Sequence, residues 1–224
     1  MKIIDLHNHT NFSYDGISGI NSLVENAIRN GVDILGITDH EFSIGNRIEE
    51  YIKAVGDAKE KYKGKITLLL GLEIGTRPYP ENFNPEITRK LDYCLFESLD
   101  DARAMNFDEF ILWRKNFHCP QGLAHTDIFK LSKMYNTDIL SVLKKENIFW
   151  EINFSGNYNY YFDLISNSEK QEAVKKSGIA ISVGSDTHWV GDFDKKRLVQ
   201  TNEFARSLKN PLALGIRDYG IGRY

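Results

Sequence analysis

The chain is poor in cysteine: Cys94 and Cys119 are its two, and they form no Cys-x-x-Cys pair. That excludes a disulfide framework and makes a reducing compartment the simpler expectation, with the cytoplasm as default. No run approaches the roughly 20 apolar residues that cross a bilayer. The opening MKIIDLHNHT carries no apolar signal core, so neither secretion nor membrane insertion is expected. Positive charge is not in excess, since 28 Lys and Arg against 31 Asp and Glu give a formal net charge of −3 and a pI near 6.1. Extended nucleic acid is therefore not an expected partner, because proteins that grip a phosphate backbone carry a basic face. A small anion held by metal ions remains compatible. Proline is scarce, and three of the five prolines fall in residues 75–85, which read as an excursion after a strand rather than a domain boundary. Linkers, low-complexity tracts and internal repeats are all missing, and 224 residues suit a single domain over residues 1–224.

What is present is an alternation of short apolar, β-branched runs with longer amphipathic segments, the pattern of parallel strands joined by crossover helices. Strands are expected at residues 3–6, 34–38, 66–73, 93–96, 122–125, 148–153 and 179–184, and helices at 21–30, 47–62, 108–116, 138–145 and 168–177. That makes about seven β/α units, near the eight of the standard barrel. The tail, residues 212–224, is rich in glycine and aromatic residues and has no assigned place.

Histidine is grouped with carboxylates: His7 and His9 in DLHNHT, His40 in TDH, His125 in LAHTD and His188 in SDTHW. Neutral imidazole and carboxylate form the ligand set that divalent zinc, manganese and iron accept. His7 and His9, two apart at a strand end, project from one face and can reach one ion, although hydrogen-bonded histidines are the ordinary alternative. Asp15 precedes Gly16 in FSYDG, where a turn aspartate is the common role. Asp39, beside His40, stands where helix capping is the common role. Glu73 ends the run TLLLGLE, and a carboxylate there is costly unless a cation, a salt bridge or hydrogen bonds satisfy it. Asp186 and His188 follow ISVGS. Each candidate falls at the C-terminal end of an expected strand, the face on which barrel enzymes build their sites. His118, in NFHCP, lies outside this pattern. The convergence points to a multi-metal hydrolytic enzyme.

The segments DLHNHT with a following DG, GITDH, GLEIG, GLAHTD and GSDTH, in this order over residues 5–188, resemble the PHP family (polymerase and histidinol phosphatase). The resemblance implies an α/β fold, a distorted (β/α)7 TIM-like barrel, with two or three divalent metal ions, Mn, Fe or Zn. Carried onto the matching positions, it implies His7, His9, Glu73 and Asp186 around one metal and Asp15, His40 and His188 around a second. Glu73 then bridges to a third ion that also takes His125, and the catalytic burden falls on Asp186, His188 and His40. One segment departs. Where the family usually reads DYVIGSVH, this chain reads DYCLFESL, so the expected histidine is Leu99. Glu97, two residues earlier and on the same side of an extended segment, is a candidate for the missing metal ligand; a surface glutamate beside Asp100 and Asp101 is the competing reading. Glu151 and Asn153 in WEINFSG resemble a further family segment that supports the metal shell or approaches substrate, and a buried polar pair explains them equally.

The activity so implied is phosphoester hydrolysis by metal-activated hydroxide on a small phosphomonoester, with histidinol phosphate the family's characteristic substrate. Nucleotide phosphatase or 3′-end nuclease activity is the nearest alternative, and an amidohydrolase is another, although no lysine is clearly placed to bridge two metals. A non-catalytic, metal-binding regulatory barrel belongs to a different class and has less reason to keep the ligand set. Neither cysteine sits in a nucleophile motif, and no GxSxG elbow is present. Arg47, Arg77, Lys130 and Arg197 follow strand ends as candidate phosphate contacts, none of them singled out. Substrate choice is expected in the loops at 43–47, 76–85, 99–107 and 188–197.

Overall fold

In the computed structural model, which describes residues 1–77, 83–156, 158–217 and 220–221, buried apolar strands alternate with helices from the first residues on. The first half runs β1 (Ile4–Asp5), α1 (Ile20–Arg29), β2 (Ile34–Ile37), α2 (Glu41–Ile44), α3 (Ile48–Lys61), β3 (Thr67–Leu70) and β4 (Glu73–Ile74). It continues through β5 (Cys94–Glu97), α4 (Phe107–Trp113), β6 (Gln121–Ala124), α5 (Ile128–Tyr135), α6 (Ile139–Lys145) and β7 (Ile148–Asn153). The last part comprises α7 (Asn159–Ser166), α8 (Ser168–Ser177), β8 (Ile181–Gly184), α9 (Lys195–Ser207) and a short hairpin of β9 (Ile216–Arg217) and β10 (Gly220–Ile221).

All pairings among β1 to β8 are parallel, in the orders β1-β2-β3 and β4-β5-β6-β7-β8. The expected strand at 66–73 is split because β3 pairs with β2 while β4 pairs with β5. Backbone hydrogen bonds cross both seams between these sheets. Glu73 N donates to Asp39 O at 3.2 Å and Asp92 N to Leu70 O at 2.8 Å, while Leu6 N donates to Val183 O at 2.8 Å and Asp186 N to His7 O at 2.9 Å. With β3 and β4 occupying one position, the result is the distorted (β/α)7 barrel. Its interior is filled by side chains, as barrels require. Tyr93 reaches across to donate to Leu6 O at 2.6 Å, and Gly36 makes this possible: a Cβ there would lie 1.8 Å from the Tyr93 hydroxyl oxygen.

The helices pack on the outside through apolar faces. In α1, Ile20, Leu23, Val24 and Ala27 are buried at helical spacing. Four helices were not expected. α2 has only four residues, α5 and α7 eight each, and α9 buries Thr201 and Asn202 beside Leu198 and Ala205, so a polar inner face hides its periodicity. The reason for that face is structural: the Asn202 amide accepts from Ile4 N at 3.0 Å and donates to Ile4 O at 2.9 Å, holding β1 in place. Residues 43–47, expected as a loop, are the end of α2 and a 3-10 turn over Gly45–Arg47. In the excursion at 75–85, residues 78–82 lie outside the described residues, and Pro85–Lys90 is a 3-10 helix. The tail packs beneath the barrel at its start, where Ile181 N donates to Pro211 O at 2.9 Å and Ala213 and Ile216 are buried; residues 218–219 and 222–224 lie outside the described residues. Cys94 and Cys119 are buried and free. Among the described residues no helix is long and apolar enough to cross a membrane.

Candidate metal centre

The carboxyl ends of the strands deliver the candidate residues to one mouth of the barrel. His7 Nε2 and His9 Nε2 stand 3.0 Å apart, at 3.5 and 3.2 Å from Asp186 Oδ1. Glu73 lies between the histidines, its Oε1 3.3 Å from His7 Nε2 and 2.8 Å from His125 Nε2, its Oε2 3.3 Å from His9 Nε2 and 3.0 Å from His40 Nδ1. Asp15 Oδ2 lies 3.5 Å from His40 Nε2 and 3.3 Å from His188 Nε2. Four overlapping groups have ligand atoms within 4.8 Å of one another: His9, Asp15, His40 and His188; His7, Glu73 and His125; His7, His9 and Asp186; and His40, Glu73 and Glu97. All nine sequence candidates therefore converge. Several strand ends reach the mouth through left-handed backbone at non-glycine residues, with φ of 46° at Ser98, 29° at His125 and 58° at Asp186. Such conformations cost about 1–3 kcal/mol each and concentrate where function requires them.

Hydrogen bonds behind the rings fix which nitrogen faces inward. His7 Nδ1 is 2.8 Å from Glu151 Oε1, and His188 Nδ1 is 2.8 Å from the Asp186 carbonyl oxygen. A carboxylate and a carbonyl only accept, so each Nδ1 carries the proton and each Nε2 of a neutral ring presents a lone pair. His9 Nδ1 is 3.0 Å from Ser13 Oγ, and the Ser13 hydroxyl donates to Asp39 Oδ1 at 2.7 Å, which leaves His9 the same tautomer. Two imidazole lone pairs then face each other at 3.0 Å among carboxylate oxygens. Among the described residues, Asp15 Oδ1, His40 Nδ1 and Glu73 Oε2 are buried and meet no partner with hydrogen-bond geometry, although the last two lie 3.0 Å apart. A donor set of this kind fits divalent metal ions, which would satisfy the lone pairs and the orphaned oxygens together.

Metal-free electrostatics carry the same demand for positive charge. Burial opposes protonation of His7, but Glu151, Glu73 and Asp186 outweigh it and raise its pKa well above the ordinary value. His9, likewise opposed by burial and supported by Asp186 and Glu73, is raised to about 9. Burial works against ionisation of Glu73, yet His7 and His125 hold its carboxyl well below the usual range.

Some expectations are corrected. Asp39 caps no helix: α2 has His40 at its N-cap position without a side-chain bond. Its carboxylate instead accepts from Thr10 N, Thr10 Oγ1, Ser13 N and Ser13 Oγ at 2.6–3.0 Å, which shapes the loop carrying His9. Glu97 and Leu99 do not share one side of an extended segment. The chain turns at Ser98, Leu99 is fully buried in the core, and Ser98 Oγ rather than residue 99 meets His125, at 2.9 Å from Nδ1. Glu97 joins His40 and Glu73 on the other side. Glu151 and Asn153 are buried behind the centre: Glu151 Oε2 accepts from His125 N at 2.8 Å and from Asn153 Nδ2 at 3.2 Å. His118 stays outside, paired with Glu86 at 2.8 Å.

Three other groups at the mouth were not expected from the sequence. Glu41 is buried beside Gly75, and desolvation, with Glu97 nearby, raises its pKa to about 7. Tyr158 stacks on His125 with centroids 4.5 Å apart and places its hydroxyl 3.4 Å from Asp186 Oδ2. Tyr14 and Phe42, both exposed, stack against the outer face of His40. Glu41 and Phe42 follow the TDH segment and Tyr14 precedes Asp15 in FSYDG, whereas Tyr158 adjoins no recognisable motif.

The fold and donor set define a parallel α/β barrel whose mouth, at the carboxyl ends of its strands, gathers overlapping groups of candidate metal ligands. The sequence matches the PHP domain over residues 5–215, and the chain belongs to the PHP domain family. It is 28% identical over 227 residues to a probable histidinol-phosphatase of Thermotoga maritima, with 83% of this chain and 84% of that protein covered. Among solved structures, histidinol phosphate phosphatase from Lactococcus lactis, complexed with zinc, L-histidinol and phosphate, superposes with a TM-score of 0.69 at 18% identity, covering 94% of this chain and 95% of that one. A putative histidinol phosphatase from Listeria monocytogenes gives a TM-score of 0.61 at 16% identity, covering 85% and 97%. These two likenesses establish the fold.

Proposed function

We propose that the protein is a metal-dependent phosphoric ester hydrolase that, as one domain, converts a small phosphomonoester and water to an alcohol and phosphate, with L-histidinol phosphate as its substrate. The observation that carries this reading is the lone-pair arrangement: Nε2 atoms of His7, His9 and His188, their tautomers fixed from behind, are aimed at Glu73, Asp186 and Asp15. Family membership and the Thermotoga relative supply the reaction and the substrate.

His7, His9, Glu73 and Asp186 would hold one ion, and Asp15, His40 and His188 a second. Glu73 and His125 would contribute to a third, with Glu97 on the far side of Glu73. Divalent ions there, Mn, Fe or Zn, would supply Lewis acidity, lowering the pKa of water and offsetting charge on phosphoryl oxygens. The chain's own part is to orient and to exclude. Glu151 and Ser13 fix the His7 and His9 tautomers, and the inner ligands His7, His9 and Glu73 are fully buried. Asp15 and His188 are 29% and 26% exposed, so the phosphoryl group enters on their side. Water attacks phosphorus in line with the departing alkoxide, which takes up a proton. Asp186, His188 and His40 would carry the catalytic burden as the ligands that hold the metal at this edge of the mouth.

The test is phosphate release from L-histidinol phosphate by manganese-loaded protein, beside nucleoside 3′- and 5′-phosphates, with His40→Ala and Asp186→Ala as folded controls. Turnover of histidinol phosphate that both substitutions abolish is expected. Full activity in either folded variant overturns the site assignment, and turnover of the nucleotides alone overturns the substrate.

A further inference from the structure

Metal ions do not by themselves select phosphate, and a phosphoryl dianion entering a mouth rich in carboxylates requires a protein cation as well. Of the four cations that follow strand ends, three are engaged elsewhere. Arg47 lies over the Phe12 ring, 4.9 Å from its centroid, and donates to Phe12 O at 3.3 Å. Arg77 pairs with Asp101 at 3.4 Å and Lys130 with Asp100 at 3.0 Å.

Arg197 differs. Among the described residues it is the one cation lining a cavity of about 380 Å³ that is also lined by Asp186, Thr187, His188, Asp192 and Asp194, so its pocket opens directly onto two residues of the candidate metal centre. Its NH1 donates to Phe154 O at 3.2 Å, and its Nε lies 3.8 Å from Asp194 Oδ2, beyond hydrogen-bond length. Its NH2 donates to no described group. Asp194 Oδ1 is spent on the N-cap of α9, where it accepts from Arg197 N at 2.9 Å, while Oδ2 forms the long ion pair with Nε and leaves the outer guanidinium nitrogens untouched. Opposite the guanidinium the backbone gives way: Gly156 has φ of 90°, and a Cβ there would stand 3.1 Å from NH1. A guanidinium tethered at one nitrogen, with donors to spare and a glycine leaving it room, is built to receive an oxyanion through its planar fork.

We infer that Arg197 is the substrate-binding cation of this enzyme, and that the cavity between it and His188 is the subsite for the phosphoryl oxygens not held by metal. The inference rests on the phosphomonoesterase reading, and it selects among substrates by charge. Phosphomonoesters, which present a dianion to the metals and still have an oxygen free for Arg197, are favoured over diesters.

The test compares metal-loaded wild type with Arg197→Gln and Arg197→Lys. Three quantities are read: KM for L-histidinol phosphate, the inhibition constant of inorganic phosphate, and metal content. Loss of a charge-assisted pair predicts that KM and the phosphate constant rise together by about ten- to a hundredfold in Arg197→Gln with metal content unchanged. Partial recovery is expected in Arg197→Lys, which keeps the charge but not the fork. If the residue merely ties α9 to Phe154, the melting temperature falls while the phosphate constant stays, and the inference is overturned. Calorimetric binding of inorganic phosphate to the metal-loaded proteins separates the two readings. If wild type hydrolyses no ester yet binds phosphate more tightly than Arg197→Gln, the subsite stands and the substrate assignment falls; equal binding, or none in either protein, removes the subsite.

Discussion

Glu151→Gln is the substitution that asks most sharply whether the centre is built for metal. The Glu151 side chain is about 1% exposed. One oxygen accepts from His7 Nδ1, and the other accepts from His125 N and Asn153 Nδ2. A glutamine cannot serve both sides. If its amide nitrogen faces His125 N and Asn153 Nδ2, two donors meet one donor. If it faces His7, the conflict is relieved by moving the ring proton from Nδ1 to Nε2, and the second arrangement is cheaper because it loses one ligand lone pair instead of leaving two buried donors unmet. The proton then points at Glu73 and Asp186, where the structure aims a lone pair. Loss of an orienting partner behind a metal ligand typically weakens binding by about ten- to a hundredfold, or about 1.4–2.8 kcal/mol. Competition between the protein and a fluorescent chelator for Zn2+ or Mn2+ measures this, with circular dichroism confirming that the barrel is intact. Unchanged metal affinity in a folded Glu151→Gln variant would refute the tautomer argument, and with it the reading of His7 as a ligand.

Two further outcomes follow from burial and from the uneven ligand sets. Burial raises the Asp5 pKa from 3.8 to about 6, against hydrogen bonds from Ser185 that pull it down. With the folded value above the unfolded one, its contribution to stability is fully present below about pH 3.8 and lost as pH rises through about 6, so Asp5→Asn should gain about 2 kcal/mol relative to wild type between pH 4 and pH 7 in urea unfolding of the metal-free proteins; a difference that does not change with pH contradicts it. The third ion, which has Glu73 and His125 but a buried Leu99 where the family supplies histidine, should leave first on chelator titration, and His125→Ala should abolish that first phase alone; simultaneous loss of all ions in wild type contradicts the three-site assignment.

The barrel was legible because its signals are local. Each strand is a buried apolar run, and the run at 148–153 coincides with β7, while that at 122–125 is displaced by one residue from β6. The candidate ligand residues stand at the ends of those runs, so finding the strands nearly finds the candidate site. What was hidden depends on partners far along the chain. Asp39 looks like a cap until Thr10 and Ser13, 29 and 26 residues away, occupy its oxygens. The helix α9 looks polar because its inner face carries Asn202, whose partner is Ile4, 198 residues away. The four cations look alike in sequence, and only neighbours brought in by the fold set Arg197 apart.

The segment after β5 shows how a single backbone angle redirects chemistry. An extended chain would place residues 97 and 99 on one face, making Glu97 a simple replacement for the lost histidine. A φ of 46° at Ser98 breaks that periodicity. Leu99 then fills the core, its backbone N–H donating to Thr126 Oγ1 at 3.1 Å, while Ser98 takes over contact with His125. Glu97 is left facing Glu73 and His40, with Glu73 raising its pKa in addition to desolvation. Three carboxylates, Glu41, Glu73 and Glu97, thus gather beside His40, and such a cluster is stable only if protons or cations hold it together. In this chain the departure from the family pattern therefore adds negative charge on the His40 side of Glu73, and concentrates the demand for metal next to the open, Asp15-bearing edge of the mouth.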